Sequence, residues 1–167
     1  MKGESNNGRF HLDFFYAFTR YLLIHRCFRY KVKLVEFMSL KFMLYLWESV
    51  NQRIKQVQTP DSIYQLAFDA HFYLVSIHPF ADGNGRISRL LMNYILSYHQ
   101  LPLATIFKED KLEYYQALEA SCPQDDEEPD LCPIRDFMSA QQMKYLSMEI
   151  KKYKQAEKRG GWGLFSK

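Results

Sequence analysis

The sequence predicts an all-α, single-domain fold. Three observations carry that expectation. Glycine and proline are scarce, seven and six in 167 residues, and they cluster between the periodic segments rather than inside them. The segments themselves repeat apolar residues at the 3.6-residue spacing of a helix. One segment opens with Thr59-Pro60, an N-cap followed by proline at the first helical position.

The elements follow in order. A polar N-terminal segment, Met1 to Phe10, lacks the apolar stretch of a signal peptide. The domain is expected over residues 11–158, beginning with a helix at about His11 to Cys27. Tyr30 to Val35 alternates like a short strand, with Val32 and Leu34 opposite Lys31 and Lys33. A second helix is expected from near Ser39 to Val57, with Phe42, Leu46, Val50 and Ile54 in register. A third runs from Asp61 to about Ile77, carrying the stripe Ile63, Leu66, Ala67, Ala70, Leu74 and Ile77. It must stop there, because His78 precedes Pro79 and proline pushes its predecessor out of the α region.

Ala81 to Gly85 is a poor helix former. A fourth helix is expected from near Gly85 to His99, broken by Leu101-Pro102, and a fifth from Glu109 to Ala120. An acidic connection, Cys122 to Pro133, leads to a last helix from Ile134 to Lys158. Residues 159–167, with Gly160, Gly161 and Gly163, read as a flexible tail.

Composition narrows the function classes. The residues are 47% hydrophobic and 16% aromatic, enough for a packed core and too apolar for disorder. A net charge of +3 is too mild to point to nucleic acid or a membrane surface as the partner. No apolar run reaches the length that spans a bilayer. Three cysteines without a Cys-x-x-Cys spacing argue against a disulfide framework or structural zinc, which makes a cytoplasmic location the default.

The chemistry concentrates between His78 and Arg89. Gly83 and Gly85 flank one residue just ahead of a helix, so backbone N–H groups can turn inward and form an anion-binding concavity. The helix start adds free donors and the positive end of its dipole. Arg86 and Arg89 share a helix face, with Asn93 a turn beyond. The opposite face, Ile87, Leu91, Tyr94, Ile95 and Tyr98, should enter the core. Guanidinium forks match phosphate oxygens, so the expected ligand is a polyphosphate. Asp82 beside bound phosphates suits Mg²⁺. His78, facing the same turn, suits a general base. Each residue alone has a plain reading: a structural histidine, a helix-joining turn, surface arginines, a helix cap, and Phe80 as the hydrophobic anchor of the loop.

Together these residues resemble the signature of the Fic family, His-x-Phe-x-Asp/Glu-Gly-Asn-Gly-Arg-x-x-Arg, at every specified position. The resemblance extends from about Ile63 to Ala120, through Ala70-His71-Phe72-Tyr73-Leu74-Val75, Leu90-Leu91-Met92-Asn93 and Tyr114-Tyr115. It implies an all-helical protein that transfers AMP from ATP to a Tyr, Thr or Ser hydroxyl of a target protein, releasing pyrophosphate. It further implies His78 as general base, Asp82 as Mg²⁺ ligand, Gly83, Asn84 and Gly85 as anion hole, and Arg86 and Arg89 as phosphate ligands. Tyr115 resembles a residue lining the adenine pocket of some relatives. The partners implied are ATP and the target protein; a separate inhibitory protein and a second copy of the chain stay open.

Three features depart from the family pattern. The family's inhibitory Ser/Thr-x-x-x-Glu-Gly/Asn motif is matched only by Thr105 to Glu109, which lacks the last residue and follows the motif helix. The β-hairpin that relatives present to their targets has its candidate near Tyr30 to Val35, without a glycine or proline at the tip. Cys122 stands where relatives often have Asn near the nucleoside, and reads equally as a buried thiol. The alternatives to AMP transfer are AMP removal, phosphocholine transfer, or a non-catalytic nucleotide-binding module. The kinase-like branch replaces the second motif glycine with lysine, and Gly85 is intact.

Overall fold

The computed structural model describes residues 32–123 and 128–158. The expected helix at His11 to Cys27, the N-terminal segment and the tail at 159–167 lie outside the described residues, as do Tyr30 and Lys31. Five helices are described: α1 (Val32–Arg53), α2 (Pro60–Ile77), α3 (Asn84–Tyr98), α4 (Lys111–Ser121) and α5 (Cys132–Lys158). The described residues hold no strand, so the all-α expectation is met. The strand reading at Tyr30 to Val35 is corrected for its described part. Val32 to Val35 form the start of α1, and the alternation there is overridden by the helical periodicity that continues through Ile54.

α1 buries Phe42, Leu46 and Val50, with Ile54 continuing the line just beyond the helix. α2 begins as its sequence requires. Thr59 has extended backbone at the N-cap, its Oγ1 accepts from the Ser62 amide, and the Ser62 Oγ reaches back to the Thr59 amide. From Leu66 to Phe72 every residue of α2 is buried, so this helix is the axis of the fold. It packs most extensively on α3, then on α1 and α5. Two buried polar residues interrupt its apolar surface, Asp69 and His71.

Asp69 has partners that explain its burial. Arg135 of α5 gives a two-point bond, Nε to Oδ1 at 2.7 Å and Nη2 to Oδ2 at 2.8 Å, and Arg53 of α1 stands 3.7 Å from Oδ2. The carboxylate thus ties three helices at one point. The irregular stretch after α3 is held by side chains. Asn93 donates to the Ala104 carbonyl (3.1 Å) and accepts from its amide (2.8 Å), and the Phe107 amide donates to Gln141 of α5 (3.0 Å). α4 lies chiefly against α5.

Candidate functional site

The site is a corner made by the end of α2, a short turn and the start of α3. Pro79 makes that corner by two constraints. It disfavours the α region for His78, and it has no N–H with which to close a six-residue capping ring. His78 accordingly takes the left-handed conformation, φ 48° and ψ 54°, and its own amide bonds the Leu74 carbonyl at 3.2 Å. The left-handed well costs a side-chain-bearing residue about 1 kcal/mol. The result is an exposed imidazole turned out of the helix at the turn.

Asn84 closes the turn. Its side-chain amide donates to the Phe80 carbonyl at 2.6 Å and its carbonyl accepts from the Phe80 amide at 3.0 Å. It is buried, so what the residue contributes outward is its backbone at the helix start. Phe80, read from the sequence as the hydrophobic anchor of the loop, does not hold it through a buried ring. Its side chain is 40% exposed, and its backbone, clasped by Asn84, holds the loop instead. Gly83 has φ 86°, a conformation that only glycine adopts without strain, and its carbonyl accepts from the Arg86 and Ile87 amides.

The two motif arginines lean back over this turn, as helical side chains do. Arg86 comes within 3.4 Å of where a Gly83 Cβ would stand, and Arg89 within 3.4 Å of a Gly85 Cβ. The Arg86 Nη2 also bonds Asp82 Oδ2 at 3.1 Å, with both side chains largely in solvent. Among the described residues Arg89 has no carboxylate partner. Ser88, between them, is fully buried, and its hydroxyl donates to the Gly85 carbonyl at 3.1 Å.

The structure therefore brings His78, Asp82, Gly83, Asn84, Gly85, Arg86 and Arg89 into one corner. Tyr115 stands apart on α4, half exposed, with the Lys111 ammonium 5.6 Å from its ring centre and the Tyr114 ring 5.4 Å away. Asn93 does not join the polar face; both ends of its amide are taken by Ala104. Tyr94 and Tyr98 are about half exposed, while Asn84, Ser88, Met92, Ile95 and Leu96 form the buried face of α3. Cys122 caps α4 as an exposed residue rather than a buried one, and partial desolvation with the Glu119 charge raises its thiol pKa. Glu109 pairs with Lys144 at 3.4 Å, not with a motif arginine.

The sequence analysis gave no role to His71, Ser88 or Tyr114. All three are buried, and the His71 Nε2 lies 3.0 Å from the Tyr114 hydroxyl. Burial pushes the His71 pKa down to about 4. The Ser88 backbone opposes this, although it is not in hydrogen-bond geometry with the ring's other nitrogen, and the Arg89 charge adds to the depression. Burial likewise raises the Tyr114 pKa to about 12. The signal available was a histidine within the apolar run Leu66 to Leu74 of α2, where burial leaves a polar ring in need of a partner.

The described residues contain no cluster of three or more metal-ligating side chains. That excludes an all-protein cage among them. Asp82 is exposed beside the glycine turn, and a lone carboxylate of this kind can take Mg²⁺ together with waters and phosphate oxygens. No helix among the described residues is long and apolar enough to cross a membrane.

Residues 19–96 match the model of the Fic/DOC family, which bears out the resemblance carried by the motif. The chain is similar to a protein adenylyltransferase Fic from Aedes aegypti, 43% identical over 70 residues, which are 42% of this chain and 13% of that protein. The protein of the same name from Drosophila mojavensis gives 43% over 70 residues, 42% of this chain and 13% of its own length. That from Nematostella vectensis is 46% identical over 61 residues, 35% of this chain and 14% of its length. The matched stretch thus spans only a small part of these relatives.

Proposed function

We propose that this chain transfers AMP from ATP to a Tyr, Thr or Ser hydroxyl of a target protein. The observation that carries the reading is the corner itself. An exposed imidazole, a glycine turn, a helix N-terminus and two guanidiniums leaning over that turn converge within twelve residues.

In this reading the triphosphate lies over the turn. The first amides of α3 lack intrahelical acceptors and face the anion, and Arg86 and Arg89 neutralise its β- and γ-phosphates. Asp82 would hold Mg²⁺, which supplies charge neutralisation on the phosphate oxygens. His78 accepts the proton of the target hydroxyl as its oxygen attacks the α-phosphorus. The new bond joins that oxygen to the α-phosphorus. The bond to the bridging oxygen breaks, and its electron pair leaves with pyrophosphate. Tyr115 borders the nucleoside. Because Arg86 already bonds Asp82, ligand binding must part that pair; an exposed ion pair of this kind is worth under about 1 kcal/mol, so the rearrangement is inexpensive. Glu109, the one glutamate of the partial inhibitory match, is engaged by Lys144 rather than by Arg86 or Arg89, which disfavours AMP removal.

The test uses ATP labelled at the α-phosphate, with Mg²⁺, the protein and a cell lysate, beside His78→Ala and γ-labelled ATP. Protein bands carrying the α label only, and absent with His78→Ala, are expected. Label from the γ position, or undiminished α label in the variant, would refute AMP transfer through His78.

A further inference from the structure

The residues assigned to the phosphates and the residue assigned to the nucleoside stand on differently packed helices. α2 and α3 form one extensively packed pair and α4 and α5 another. Asp82, Arg86 and Arg89 belong to the first, Tyr115 to the second. A ligand touching both needs the two pairs held at one spacing.

His71 lies where they meet. Its ring is fully buried, with Nε2 3.0 Å from the Tyr114 hydroxyl and ring centres 5.8 Å apart. Ser88 of α3 adjoins it, and the charge of Arg89 is felt by both His71 and Tyr114. Tyr114 is the neighbour of Tyr115, so the bond anchors the helix that carries Tyr115 one residue from it. We propose that His71 and Tyr114 are positioning residues of the nucleotide site, their buried bond fixing α4 against α2, on which the motif helix α3 packs, so that Arg89 and Tyr115 meet one ligand. Two packed aromatic rings alone would fill the same space; a hydrogen bond in a low-dielectric interior adds direction and distance. Both partners are neutral at ordinary pH, so the bond survives beside the Arg89 charge. The inference rests on the nucleotide reading given above.

The test compares two ligands on the full chain by calorimetry at neutral pH: ATP with Mg²⁺, which reaches both helix pairs, and tripolyphosphate with Mg²⁺, which needs only the first. Tyr114→Phe keeps the ring and removes the hydroxyl. The expected result is an ATP affinity lowered about five- to tenfold, the scale of one hydrogen bond, with tripolyphosphate binding unchanged. His71→Phe should show the same split. Equal losses for both ligands, or none for either, would overturn the inference. Arg89→Ala runs alongside. If it loses both ligands while Tyr114→Phe keeps ATP, only the positioning role fails. If it binds both like the wild type, the phosphate assignment fails and the inference falls with it.

Discussion

At the scale of single residues, the turn holds the most exacting positions. Gly83→Ala should lower stability by about 1 kcal/mol, because its φ of 86° lies in the left-handed well. A melting curve of the variant should show a drop of several degrees. The same substitution at Gly85 should cost less, since only the mobile end of Arg89 is nearby. Asn84→Ala removes two hydrogen bonds to Phe80 and should destabilise by about 1–3 kcal/mol; urea unfolding measures it. Arg89→Ala should leave the melt unchanged, as the side chain is exposed and lacks a carboxylate partner among the described residues. The sequence made the members of this corner legible, because glycine, proline and arginine at fixed spacing have few physical uses. It did not show that the Asn84 side chain turns inward, or that Phe80 stays partly in solvent. Both depend on how the loop closes, which spacing does not encode.

At the scale of elements, α2 depends on its ends and on one buried charge. Thr59→Ala removes the reciprocal cap and should cost about 1 kcal/mol. Asp69→Ala removes the charged hydrogen bonds to Arg135, both arginines left behind being a third or more exposed, and should cost about 1.5–3 kcal/mol, read as a shift of the urea midpoint. The start of α2 was plain from Thr59-Pro60, and the line Phe42, Leu46, Val50 and Ile54 on α1 was correctly read as core. The buried face of α3 was read correctly at Ile87, Leu91 and Ile95 and wrongly at Tyr94 and Tyr98. Its apolar residues suggested Tyr94 and Tyr98, but the face toward α2 includes Ser88 and Asn84, whose hydroxyl and amide bond the backbone of the turn. A polar residue satisfied locally can be core, and hydropathy alone misses it.

At the scale of the whole molecule, His71 links stability to pH. Its folded pKa of about 4 lies below the ordinary 6.5, so the fold favours the neutral ring. Between those values the unfolded chain binds a proton that the folded chain refuses. Stability from this group is therefore complete above pH 6.5, declines as pH falls, and is lost below about pH 4, by about 3 kcal/mol in all. Urea unfolding at pH 7 and pH 4.5 should show a steeper loss in the wild type than in His71→Phe; parallel losses would contradict it.

The length of α5 has a consequence of its own. Its early turns bury Ile134, Met138, Gln141 and Gln142, but from Lys151 to Lys158 every residue is exposed. A stretch that short is not stable as a helix by itself in water. One continuous ladder of hydrogen bonds is thus two objects in hydrogen exchange. The amides of the first turns should open only with the core, and those past Ile150 should exchange within a small factor of free peptide. A protease acting on the native protein should trim this end of α5 back toward Ile150 and stop where burial begins.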